Sequence, residues 1–152
     1  MTPEAKFIEN HLLIPNKQGR TVRFKLNPVQ LLYDQDRTNR DIVLKSRQHG
    51  ISSFILALYL VDCLTNNNIT SVVIAHDTES TQKLLDKVRF YIKYFHLKDE
   101  DKVYNIPLRF DNKNELYFPD TGSKFYIEQP ARELSDEAIQ SITSCYRNSP
   151  ST

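Results

Sequence analysis

A chain of 152 residues, 39% hydrophobic and 26% charged, has room for one hydrophobic core but not for two large ones. Its net charge of +1 argues neither for nor against nucleic acid, and its two cysteines, Cys63 and Cys145, form no Cys-x-x-Cys pair, so zinc and disulfide frameworks are unsupported. The longest apolar run, Phe54 to Leu64, is broken by Asp62 and is too short to span a bilayer, while Met1-Thr-Pro-Glu lacks the regions of a signal peptide; a soluble cytoplasmic protein is expected.

In chain order, Thr2-Pro3-Glu4 reads as a helix start: a hydroxyl cap, proline at the first helical position, then an acid near the positive end of the dipole. That helix should run to about Leu13. Gly19 marks a turn, and Arg20 to Leu26 alternates as a strand does. Asn27-Pro28 repeats the cap-then-proline signal and opens a helix from Val29 to about Arg37. Asp41 to Leu44 is a compact apolar strand. Ser52 to about Cys63 is apolar on nearly every face, as in a helix buried between a sheet and other helices, with Cys63 a small core residue. Asn66-Asn-Asn68 ends it, and Ser71 to Ala75 is a second buried strand. His76-Asp77 and a cap at Thr78 lead into a helix from Glu79 to Phe95, with Leu84, Leu85, Val88, Tyr91, Ile92 and Phe95 at helical spacing.

Strand, loop, helix, strand and helix in succession predict a right-handed βαβ unit and a parallel sheet covered on both faces. Leu108 to Phe110, Glu115 to Phe118 and Lys124 to Ile127 then read as short strands, joined by turns at Asn112 to Asn114 and Asp120 to Gly122. From Glu128 onward the composition turns polar, with weak periodicity. The expected fold class is α/β: a P-loop NTPase-like partial parallel sheet with flanking helices and a strand-rich region near the C-terminal end. Basic residues crowd between Lys17 and Arg47, including Arg20, Arg23, Lys25, Arg37, Arg40 and Lys45; without a further motif, a solvated face is the favoured reading.

The stretch Arg40 to Ser53 carries the chemistry. An apolar strand, a tight polar loop and a helix form the layout in which backbone N–H groups and a helix N-terminus cradle anionic oxygens. Against the Walker A pattern G-x-x-x-x-G-K-[ST], Gly50 and Ser52 take the last glycine and the hydroxyl. Ile51 stands where lysine is expected, and Ser46 replaces the first glycine. Lys45 lies instead at the front of the loop, followed by Arg47, from where it could reach back to the β and γ phosphates. The chain has only three glycines, one of them at this junction. An ordinary strand–helix turn using glycine for backbone freedom explains the same residues, and on the loop pattern alone it is the favoured reading.

Read together, Asn27-Pro-Val-Gln30, Lys45-Ser-Arg-Gln-His-Gly-Ile-Ser-Ser53 and Val72-Val-Ile-Ala-His-Asp77 resemble the ATPase domain of the large terminase subunit of tailed bacteriophages, the motor of viral DNA packaging. The resemblance runs from about Arg23 to Ile127. It implies ATP-binding with Mg²⁺, and as partners double-stranded viral DNA, the portal and the small terminase subunit, in the cytoplasm of the bacterial host. It implies a nucleotide-binding set of Gln30, Lys45, Ser46, Arg47, Gln48, His49, Gly50, Ile51, Ser52 and Ser53. Within that set Gln30 would read adenine through its amide, Lys45, Arg47 and Gly50 would hold phosphates, and Ser52, or alternatively Ser53, would ligate Mg²⁺. His76 and Asp77, at the carboxyl end of the second strand, either face the ligand or cap a helix.

Such a motor also needs acids at the end of a later strand, to position the metal and orient the attacking water. No apolar strand ending in such acids follows Ile127. Asp136-Glu137, preceded by Arg132-Glu-Leu-Ser135, reads as a solvated helix face. One nucleotide added after the Ile127 codon would let the tail's codons encode a Gly-Arg-Gly loop and an apolar strand ending in Ser-Glu. The expectation is therefore a truncated, prophage-type terminase ATPase fragment over residues 1–127. It would have an out-of-frame or disordered tail over 128–152, no assignable catalytic residue and deficient hydrolysis. The alternative is a non-catalytic fragment that binds nucleotide or a partner. A sheet missing its central strands would also expose edges and apolar surface that favour self-association.

Overall fold

Cap chemistry sets the first two helices. In a computed structural model, which describes residues 1–38, 40–44, 50–97, 104–111 and 114–128, helix α1 spans Pro3–His11 and its N-cap Thr2 accepts from the Ala5 N–H at 3.3 Å. Helix α2, Pro28–Asp36, opens with a capping box: Asn27 Oδ1 accepts from the Gln30 N–H and Gln30 Oε1 from the Asn27 N–H, each at 2.9 Å. Between them β1 (Leu13–Pro15) and β2 (Thr21–Arg23) pair antiparallel, Leu13 opposite Arg23. The first helix thus stops at His11, short of the expected Leu13. Strand β1 is too short, and ends in a proline, to show any alternation in the sequence.

The expected strand Asp41 to Leu44 is not formed. Ile42 and Leu44 are 92% and 95% exposed, and the segment belongs to neither sheet. A short apolar run says nothing about whether a partner strand is available, and here the described strands offer it no pairing. The predicted βαβ unit therefore lacks its first strand. Helix α3, Ile51–Thr65, does form, and buries Phe54, Leu56, Ala57, Leu60, Val61 and Cys63. After it come β3 (Thr70–Ile74) and helix α4 (Thr78–Lys93), whose N-cap is Asp77 rather than Thr78. A carboxylate one residue earlier captures both the Ser80 N–H at 2.7 Å and its hydroxyl at 2.8 Å.

Three further strands, β4 (Phe110–Asp111), β5 (Glu115–Phe118) and β6 (Ser123–Glu128), complete a four-stranded sheet in the order β3-β6-β5-β4. Strand β3 runs parallel to β6, while β5 is antiparallel to both β6 and β4. The architecture is α/β with a mixed sheet, not a parallel one, because the tight Asp120–Gly122 turn folds β5 straight back onto β6. Gly122 has φ 68°, and a Cβ there would sit 2.7 Å from Asn68 Oδ1. Leu116, Phe118, Phe125 and Ile127 are buried with α1, α3 and α4 in one core. Coverage on both faces is also corrected: Val72 and Ile74, on the opposite face of β3, remain 37% and 54% exposed. The expected strand at Leu108 to Phe110 shrinks to Phe110–Asp111. The expected tail, apart from Glu128, lies outside the described residues. No described helix is long and apolar enough to cross a membrane.

Candidate functional site

The N-terminus of α3 begins at Gly50, in the left-handed region with φ 71°, and among the described residues no side chain caps it. Gln30 is 3% exposed, and its Nε2 donates to the Gly50 carbonyl at 2.9 Å, which also receives the Phe54 N–H at 3.0 Å. A Cβ on residue 50 would come within 2.8 Å of Gln30 Nε2, so glycine is required twice, by conformation and by this close approach. The capping box of α2 and the start of α3 are therefore joined through one side-chain amide.

Around this junction the expected site residues take different roles. Ile51 is buried, a core residue where a Walker A loop would place lysine. Ser52 is half-buried on the first turn of α3. Ser53 Oγ lies 3.2 Å from Lys87 Nζ, and its carbonyl accepts from the Tyr91 hydroxyl at 3.2 Å; burial pushes that phenol's pKa up. An ammonium beside the Ser53 hydroxyl disfavours a metal ion there, which leaves Ser52 as the better placed of the two hydroxyls for a hard cation. Among the described residues no cluster of His, Cys, Asp or Glu could hold a metal. Lys45, Ser46, Arg47, Gln48 and His49 lie outside the described residues.

Gln30 is already engaged through both amide atoms, with Asn27 and with Gly50, so an adenine-reading role would require it to exchange those bonds. His76 Nε2 stands 2.5 Å from Asp77 Oδ2. The Ser80 N–H and hydroxyl hold the Asp77 carboxyl below the usual carboxylate range, with His76 a smaller contribution. That pair acts as a capped helix start.

Sequence reasoning missed Lys87. It lies far along α4, and no local spacing connects it to the first turn of α3. Conversely, Arg37 was counted with the basic candidates but serves the fold. Its Nη2 meets Glu4 Oε2 at 3.1 Å and its Nε lies 3.5 Å from Asp34 Oδ1. The buried Asp34 also takes the Thr2 N–H at 2.8 Å and the Thr2 hydroxyl at 2.6 Å. This clasp ties α1 to α2. Beside it, burial raises the Asp62 pKa, with Glu4 adding repulsion. No protein-family profile and no curated protein matches this chain.

Proposed function

We propose that the chain carries the nucleotide-binding part of a terminase-type packaging ATPase and binds ATP with Mg²⁺ at the N-terminus of α3 without turning it over. The observation that carries this reading is the Gln30–Gly50 hydrogen bond. Two segments singled out by the resemblance, the Asn27–Gln30 stretch and the loop ending at Gly50, meet at the point where nucleotide would bind. An uncapped helix start favours anionic oxygens through its N–H groups and its dipole. Lys87, close to Ser53, adds positive charge from a second helix. Ser52 would offer its hydroxyl to Mg²⁺, which when bound would draw the phosphate oxygens together. By the resemblance, Lys45 and Arg47 would hold the phosphates.

Hydrolysis is not expected, because the sequence shows no apolar strand ending in Asp-Glu or Ser-Glu after Ile127, where the resemblance would place the acids that position the metal and orient water. In the parent motor such a domain works with double-stranded DNA, the portal and the small subunit; the present chain would keep at most the nucleotide step.

Titration calorimetry with Mg-ATP, beside steady-state turnover with and without double-stranded DNA, tests the reading. The expected result is measurable binding, weakened about tenfold or more by Lys45→Ala, with no turnover. Failure to bind ATP at roughly millimolar concentration removes the proposal. Turnover that Lys45→Ala abolishes would instead make the chain an active ATPase. Sequencing the coding DNA across the Ile127 codon decides separately whether the tail is out of frame.

A further inference from the structure

The sheet has one face in the core and one face outside it. On the outer face the pairing register sets Val72 beside Tyr126, Ile74 beside Glu128, and Thr70 beside Lys124, with Glu115 continuing the Val72–Tyr126 row. Val72 and Ile74 are 37% and 54% exposed, uncommonly open for the aliphatic residues of a strand. Among the described strands, β3 also has a neighbour on one side only. The open apolar part of this face lies on β3, where Val72 and Ile74 stand beside the half-buried Tyr126 and between the charged Lys124 and Glu128.

We propose that a second copy of this chain docks on this outer face, sheet against sheet. The charge pattern selects that occupant. A two-fold axis along the Val72–Tyr126 row turns each strand end for end. It lays Glu128 of one copy over Lys124 of the other, and Lys124 over Glu128 in return. The same axis sets Val72 against Val72 and Tyr126 against Tyr126, in the reciprocal arrangement that a two-fold interface requires. Glu115, which accepts from the Tyr126 hydroxyl at 3.0 Å, meets its own copy at the rim and is the one unfavourable member. So narrow a face buries less than stable interfaces do, so the dimer is weak and forms only with rising concentration. It uses neither Gly50 nor α3's first turn, and stands whether or not nucleotide binds.

Sedimentation equilibrium of the full chain, followed into the roughly millimolar range, tests this. The expected result is a monomer–dimer equilibrium that Val72→Lys abolishes and that Leu32→Lys, on α2, leaves unchanged, with circular dichroism confirming that both variants fold. Lys124→Glu and Glu128→Lys should each dissociate the dimer when alone and form a heterodimer when mixed, while Glu115→Gln tightens it. A monomer at every concentration overturns the proposal, as does a dimer indifferent to Val72→Lys. A monomer in which the thiol of Val72→Cys cross-links within its own chain gives the face to another segment of that chain, and overturns it too.

Discussion

At its C-terminal end α3 is stitched to the sheet. The Cys63 carbonyl accepts from the Thr121 hydroxyl at 2.7 Å and the Asn66 carbonyl from the Ser123 hydroxyl at 2.9 Å, while the Cys63 thiol reaches Ser71 Oγ at 3.4 Å. At its N-terminal end the Gln30 amide grips the Gly50 carbonyl and Tyr91 and Lys87 of α4 reach Ser53, but among the described residues no side chain caps the N–H groups. Carbonyls at a buried helix end must find donors or pay a desolvation penalty, whereas amides beside a polar loop can take water or an anion. One end anchors the helix and the other presents it. Even the thiol follows this division: burial pushes Cys63 up to about 11, so it packs and does not react.

The sharpest way to break the comparison is at the anchored end. Ser123 is fully buried; its hydroxyl donates to Asn66 O and accepts from the Ile69 N–H at 3.1 Å. Ser123→Ala leaves both partners unsatisfied and should cost about 2–4 kcal/mol in urea unfolding. A loss below about 1 kcal/mol would show that these bonds do not hold the end.

Next comes the presenting end. Gly50→Ala should cost about 1–2 kcal/mol from its positive φ alone, and more if Gln30 cannot move aside. Gln30→Ala removes the crowding together with the bond. The double variant should therefore be less destabilised than the two single losses added, a coupling readable in a double-mutant cycle. Strict additivity would mean that the two residues do not act on one another.

The smallest effects lie in the pH dependence. Asp77 has a lowered pKa, so its cap stabilises above the usual carboxylate value and that contribution is lost as pH falls through the lowered one. Asp62 runs the other way. Its pKa is raised by burial, so the fold is weakened as pH climbs from the ordinary value through the raised one. Asp62→Asn should raise Tm slightly at neutral pH and change nothing in strong acid, whereas Asp77→Asn should lower Tm most at neutral pH, do least in strong acid, and so flatten the acid limb. Identical melting curves across pH for Asp62→Asn and the parent would remove the first assignment.

Local chemistry was legible in the sequence, and pairing was not. The proline-and-cap starts at Thr2-Pro3 and Asn27-Pro28, the apolar α3, and the β5–β6 hairpin all follow from residues close together in the chain. Asp41 to Leu44 failed because its apolar pattern needs a distant neighbour strand to become a strand. The outer face of β3 failed for the same reason: Ser71-Val-Val-Ile reads as buried on both sides, yet only one side is covered. At the candidate site Gly50 and Gln30 were both singled out, but the bond between them came from the fold, and Lys87 carried no signal at all.

The parallel pairing of β3 with β6 has a consequence for synthesis. Ile69 and Ser123 are 54 positions apart, so the first of these strands leaves the ribosome long before its partner exists. Until Glu128 has emerged, the apolar flank of α3 has no sheet to rest on. A holdase that screens nascent polypeptides for sticky helices would meet this one early, and productive folding should begin late and abruptly.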